Sequence, residues 1–283
     1  MALQSVWPLP EGIKSVEVNG YPMAYRESGG GTPLVLVHGV INDYRYWNPQ
    51  IEPFAAHYRT VAVSLRHYFP EPWDGRGDDF SILQHADDVA EFIRRLDLSP
   101  VHLLGHSRGG AVVLHVAARY PEVIRTLILA DAGGLEELLP DTPESRAMAA
   151  ERQTNADRLA ADLAKGDRDA ALRAYVDALS GPGRWDQISA DQKLIHLDNA
   201  VPSTRTEPRP SLAREAIRKF RFPILPIVGE KSPKRFEETL RAMRLCLPDN
   251  MEDLIIIPNA AHGMNRQNAQ AFNAAVLGFL SGR

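Results

Sequence analysis

The chain has 283 residues, 44% of them hydrophobic and 24% charged, with a formal net charge of −4. That length suits one large α/β domain or two small ones, able to bury a core without disulfides or metals, and the mild acidity argues against a nucleic-acid partner. A single cysteine, Cys246, excludes an internal disulfide; the opening MALQSVWPLPEG lacks a secretory pattern and no stretch approaches the roughly 20 apolar residues of a membrane span, so a cytoplasmic protein with no membrane partner is expected.

In chain order, Ile13 to Val18 and Met23 to Arg26 flank NGYP, a turn signal that predicts an antiparallel hairpin. GGGTP then breaks the chain before PLVLV, a short buried strand. Tyr46 to Tyr58 is weakly helical, with Pro49 and Pro53 against it, and TVAVSL is a strand. Ser81 to Leu96 predicts a helix with Ile82, Ala86, Val89, Ala90 and Ile93 on one face. VHLLG is a strand, Arg108 to Arg119 a helix and TLILA a strand. Strands alternating with helices predict a mostly parallel central sheet covered on both faces.

From Asp141 to Lys219 the rhythm breaks. This stretch offers helices, rich in alanine and arginine, but no credible strand, and it carries the proline-rich PSTRTEPRP near its end. The alternation resumes with FPILPIVG, a helix from about Pro233 to Leu247, DLIIIP and a last helix from about Met264 to Leu280. The expected organisation is an α/β core, residues 1–140 and 220–283, with a helical cap at 141–219 inserted after the sixth strand.

Chemistry concentrates at strand ends. Gly105-His106-Ser107-Arg108-Gly109 fits G-x-S-x-G between a strand and a helix, the context of a nucleophile elbow. The strained turn needs glycines where side chains would meet backbone, lifts the hydroxyl to the strand's C-terminal end and aims a helix N-terminus at the reaction site. The bland alternative is an N-cap serine, which would need neither the glycines nor the strand. A serine nucleophile needs a base. His262, in IIIPNAAHGMN, follows the last strand and precedes the last helix, so in a parallel sheet it reaches the same edge as Ser107. His38-Gly39 ends the strand PLVLV, and the next backbone N–H, Val40, paired with that of Arg108, would make a two-donor oxyanion hole.

With these residues in view, the chain resembles the α/β-hydrolase fold superfamily, in its cap-bearing, serine esterase-like branch. VLVHG, GHSRGG, ARYPEVIRTLILAD, PILPIVGE and PNAAHG carry the resemblance, over residues 13–140 and 220–283. It departs in two places. Many relatives have an aspartate three residues after the glycine of PILPIVG; here Ser232 holds that slot, and serine cannot carry the charge that stabilises an imidazolium. Asp131, ending TLILAD, is the leading acid, since some superfamily members place theirs there. Glu230, the cap acids Glu136 and Glu137 and a Ser–His dyad are the alternatives. Second, the bulky SLRHYFPEPWDG replaces a glycine-rich turn, so that His67, Tyr68, Phe69 and Trp73 would either narrow the pocket mouth or pack on the surface. The Arg108 side chain would pair with an acid such as Asp131 or hold a substrate carboxylate.

The resemblance implies a hydrolase that cleaves small carboxylic esters through an acyl-enzyme formed on Ser107, with His262 as base and no cofactor or metal. Amide, lactone and carbon–carbon bond hydrolysis use the same machinery. The rival from another class is a weakly active ligand-binding or sensor protein, whose support is the serine in the acid's slot. A serine at the elbow argues against epoxide hydrolase and dehalogenase chemistry. Acyl and alcohol preference stay open, as does the choice between monomer and homodimer.

Overall fold

The computed structural model describes residues 7–205, 210, 212–247 and 249–283. The whole first half of the opening dodecapeptide, residues 1–6, and residues 206–209 of the proline-rich stretch therefore lie outside the described residues. Strands β1 (Lys14–Val18) and β2 (Tyr21–Ser28) form the hairpin expected around the Asn19-Gly20 turn, where both residues have positive φ. β3 (Pro33–Val37), α1 (Asn48–Ala55), β4 (Arg59–Val63), α2 (Ile82–Arg95), β5 (Val101–His106), α3 (Arg108–Arg119) and β6 (Ile124–Ala130) follow. Ser81 caps α2, its hydroxyl accepting from the Gln84 N–H at 3.0 Å. After β6 come the helices α4 (Pro143–Ala164), α5 (Arg168–Ser180), α6 (Arg184–Gln187), α7 (Ala190–Asp198) and α8 (Arg214–Ile217). The alternation then returns with β7 (Ile224–Gly229), α9 (Lys234–Cys246), β8 (Ile255–Ile257), α10 (Met264–Gln267) and α11 (Ala269–Leu280).

Among the described residues one eight-stranded sheet forms, in the order β1-β2-β4-β3-β5-β6-β7-β8. β2 is antiparallel to both of its neighbours, and all pairings from β4 to β8 are parallel. Side chains alternate between faces, so each run of apolar residues feeds two cores. Val35, Val37, Leu103, Leu127 and Leu129 pack on one face with residues of α2, α3 and α9. Leu34, Leu36, Leu104, Ile128 and Ala130 pack on the other with α1 and α11. That arrangement is why these strands read as nearly unbroken hydrophobic runs.

The helices between β6 and β7 build a third, smaller cluster around Leu159, Leu172, Val176 and the fully buried Trp185, closed by Ile41 from the loop after β3. Leu212 and Ile217, within the range expected as cap, instead pack into the core beside α2 and α3. The expected final helix is also divided. Asn268 adopts φ −138°, outside the helical range, and its side chain accepts from the Ala271 N–H, so one segment ends and a newly capped one starts there. Among the described residues no helix is long and apolar enough to cross a membrane.

The crossing of α3 over β3 and β5 depends on missing side chains. A Cβ on Gly105 would lie 2.5 Å from the Gly109 carbonyl oxygen, and one on Gly109 would drive into the carbonyls of Val37 and His38. Since the obstacle is backbone on both sides, side-chain rotation cannot relieve it. Gly109→Ala should therefore lower the unfolding free energy by about 3 kcal/mol or more, at the upper end of overpacking costs. Urea denaturation measures this, and a loss within experimental error of zero would show that the packing can give way.

Candidate active site

Ser107 sits between β5 and α3 with φ 54° and ψ −116°, a conformation in which a non-glycine residue is strained. Its hydroxyl makes no N-cap bond to the helix. The backbone around it is pinned instead: its N–H donates to the Ala130 carbonyl at the end of β6, and its carbonyl accepts from the N–H groups of Gly110, Ala111 and Gly133. These bonds hold the side chain out over the C-terminal edge of the sheet, where the loops after β3, β6, β7 and β8 converge.

The loop after β8 brings His262 there. Its Nε2 lies 3.0 Å from Ser107 Oγ, and its Nδ1 lies 2.9 Å from Asp131 Oδ2. Asp131 directly follows β6 and is fully buried. With Nδ1–H donating to the carboxylate, Nε2 is left to accept from the serine hydroxyl. The imidazole lies between two rings. Phe236 stacks on it at 4.7 Å and 14°, and the His106 ring approaches at 4.7 Å from a tilted position. His106 Nε2–H also donates to the His262 carbonyl at 2.8 Å, which fixes the loop as well as the ring.

The two expected backbone donors are aimed by their own peptide planes. In a trans peptide the C=O and N–H point in opposite directions. His38, fully buried, accepts the Leu65 N–H on Nε2 at 3.0 Å and so donates from Nδ1 to the Gly39 carbonyl at 2.7 Å. Anchoring that carbonyl sets the direction of the Val40 N–H. The triply bonded Ser107 carbonyl does the same for the Arg108 N–H. Val40, Arg108, Ser107 and His262 line one cavity.

A family model described as the alpha/beta hydrolase fold matches residues 32–264. The chain belongs to the alpha/beta hydrolase fold family. Among its relatives, the (E)-2-((N-methylformamido)methylene)succinate hydrolase of Acinetobacter baylyi is 24% identical over 90% of this chain and 93% of that protein. The dihydrolipoyllysine-residue acetyltransferase component of the acetoin cleaving system of Pseudomonas putida is 35% identical, over 48% of this chain and 36% of that protein. This chain thus spans about a third of the length of that relative, and the same holds for mycobacterial relatives of unassigned function. The structure of an esterase from Exiguobacterium antarcticum superposes with a TM-score of 0.75 at 21% identity, covering 95% of this chain and 98% of that one.

Against this family's pattern, the serine in the expected acid's slot has a physical explanation. Ser232 Oγ donates to Asp131 Oδ2 at 2.6 Å, and the Gly229 N–H approaches Oδ1 at 3.3 Å. The slot after β7 has become a hydrogen-bond donor to a carboxylate that stands one strand away. Glu230, the alternative acid, is exposed and accepts instead from the Asn259 N–H at 2.7 Å. Glu136, a cap-acid alternative, forms an ion pair with Arg152.

Two other expectations are corrected. The Arg108 side chain does not pair with Asp131; its guanidinium lies over the Phe80 ring at 4.7 Å, with Nη2 3.3 Å from His85 Nδ1. The His67-Tyr68-Phe69 segment does not line the cavity; His67 and Tyr68 are buried, while Phe69, like Trp73, is half-buried. His67 is buried between Glu71 and Asp79 and stacks on Trp73 at 4.3 Å, while the fully buried Tyr68 meets the His38 ring edge-on. Phe80, further along, lines the cavity. The motif reading took Ser232 only as a missing acid and passed over Phe236, Arg235 and the supporting role of His106; of these last three, only His106, by its position inside the elbow, offered a signal.

Burial works against charge throughout. It pushes the His262 imidazole down to about 3, helped by the positive Arg235 guanidinium, so the ring is neutral and able to accept a proton. It pushes Asp131 up to about 7, against the opposing hydrogen bonds from Ser232 and Gly229. The pair titrates as a unit, and each donor to the carboxylate holds its first protonation to lower pH. Removing one must move that protonation upward. In Ser232→Ala, the His262–Asp131 proton resonance, followed by NMR against pH, should begin to titrate at higher pH than in the wild type. An unchanged or lower midpoint would show that Ser232 does not stabilise the anion.

Proposed function

We propose that the protein is a serine hydrolase that cleaves carboxylic esters through an acyl-enzyme intermediate. The observation that carries this reading is the continuous hydrogen-bonded line from Ser107 Oγ through His262 to Asp131, at 3.0 and 2.9 Å. Ser107 Oγ attacks the ester carbonyl while His262 Nε2 takes its proton, and Asp131 stabilises the resulting imidazolium. The Val40 and Arg108 N–H groups receive the developing oxyanion, aided by the N-terminus of α3. The imidazolium returns its proton to the leaving alcohol, giving the acyl-enzyme. Water deprotonated by the same imidazole then releases the acid.

The sensor alternative drew its support from Ser232, and Asp131 beside the imidazole removes that support. The helices between β6 and β7 act in this scheme as a cap over the site, since Arg152, Leu159, Tyr175 and Leu179 share the cavity with Ser107.

Ser107→Ala should abolish both ester turnover and fluorophosphonate labelling without a change in fold. Asp131→Asn should lower kcat/KM on a p-nitrophenyl ester at least about a hundredfold, since the neutral amide neither stabilises the imidazolium nor enforces the productive tautomer. Glu230→Gln should change it less than about threefold, because that carboxylate serves only a loop N–H. Wild-type turnover in the alanine variant sinks the assignment, and equal damage from the two acid variants removes Asp131 from its role.

A further inference from the structure

The cavity over Ser107 carries charge of the opposite sign to the chain. Arg108, Arg152, Arg205 and Arg235 line it, against the single carboxylate of Glu136, in a protein whose net charge is −4. Three of these arginines are occupied. Arg108 lies over Phe80, Arg152 is paired with Glu136, and Arg205 donates to the carbonyls of Gly75 and Gly77. Arg235 differs. It is 7% exposed, and among the described residues its guanidinium has no ion pair or side-chain hydrogen bond; its contact is with the ring of Phe236, 4.5 Å away.

A charged side chain so far removed from water is costly unless a counter-charge meets it. Burial accordingly pushes the Arg235 pKa down. Arg235 lines the cavity over Ser107 on one side and, on the other, a second cavity that holds Glu144, Glu151 and Glu238; the Glu151 and Glu136 carboxylates oppose the effect of burial without pairing with the guanidinium. The same Phe236 ring stacks at 4.7 Å on His262, so the guanidinium lies within two ring spacings of the catalytic imidazole. A second arm of the site, reached past Ser107, mixes Ile41, Val176 and Ile188 with polar side chains and Arg184. Both arms meet at Ser107 and His262, and the first is the more cationic, with four arginines against one.

We propose that Arg235 binds a carboxylate of the substrate, so that the esters turned over at Ser107 are anionic, with a carboxylate a few carbon atoms from the scissile carbonyl. This rests on the serine hydrolase reading and narrows it. Guanidinium and carboxylate match as a fork of parallel hydrogen bonds, which a lysine would not reproduce. Charge neutralisation also serves the chemistry. Arg235 disfavours the imidazolium that must form on His262, and a bound carboxylate lifts that penalty only when substrate is in place.

The test pairs each anionic ester with a neutral one of equal length: monoethyl adipate with ethyl hexanoate for the acyl side, and 4-acetoxybutanoate with butyl acetate for the alcohol side. In the wild type at least one anionic ester should have a kcat/KM about tenfold or more above its neutral partner, and Arg235→Gln should reduce that ratio at least about tenfold. Arg235→Lys should recover part of it. Equal losses on both members of a pair would mean that Arg235 only supports the fold, and a wild-type preference for the neutral esters would overturn the proposal outright. A binding measurement separates this from failure of the serine reading. Adipate titrated by calorimetry into Ser107→Ala should bind, and in Ser107→Ala/Arg235→Gln it should bind at least about tenfold more weakly. If Ser107 is not labelled by a fluorophosphonate yet this difference holds, the anion site stands and the chemistry does not; if adipate binds both equally, the anion site falls whatever the chemistry.

Discussion

The hydrogen bond between Asp131 and His262 fixes the rest of the site. A carboxylate with no exposed surface holds Nδ1 of an imidazole, and that single contact selects the tautomer, orients the ring and leaves Nε2 facing Ser107 Oγ. Everything around the pair restrains it. Ser232 and the Gly229 N–H hold the carboxylate, Phe236 and His106 hold the ring, and the His262 carbonyl is tied by His106. The carboxylate itself rides on φ 40°, an uncommon conformation that β6 and its neighbours must over-determine. Isolated charge is expensive in such a place, which is why donors to Asp131 come from two separate strands and loops.

Much of this was legible in the sequence because it is written in backbone terms. A serine between two glycines at a strand–helix junction implies one turn geometry, and Gly105 and Gly109 indeed stand where a Cβ would meet carbonyl oxygen. His262 and Val40 followed from strand ends, since parallel strands deliver their C-terminal loops to one edge. What spacing cannot convey is side-chain partnership. Ser232 read as a gap in the site, although in three dimensions its hydroxyl donates to the Asp131 carboxylate. Arg235 carried no signal in the sequence, yet it is buried while Lys234 and Arg241 of the same helix are exposed. Its burial depends on the helices inserted after β6, which no local pattern places. The bulky segment at His67 was misjudged for the same reason, because its imidazole is satisfied by Glu71 and Asp79, and the latter is 12 residues away in sequence.

The division of labour within the chain follows from these two kinds of information. In the proposed reaction the sheet and its edge loops supply the groups that act on the reacting atoms, and those groups are fixed by glycines, anchored carbonyls and buried hydrogen bonds. The helices between β6 and β7 hold together through their own cluster around Trp185 and meet the core through Ile41 from the loop that also carries Val40. A displacement of these helices would thus be felt at the Val40 peptide, but its direction is secured independently by His38 on the Gly39 carbonyl. The buried histidine there, kept neutral by a burial that pushes its pKa to about 3, acts as a fixed donor and not as an acid or base. The fold can therefore vary the walls of the cavity, and with them the charge and shape of what enters, while the groups below the substrate stay where the sheet puts them.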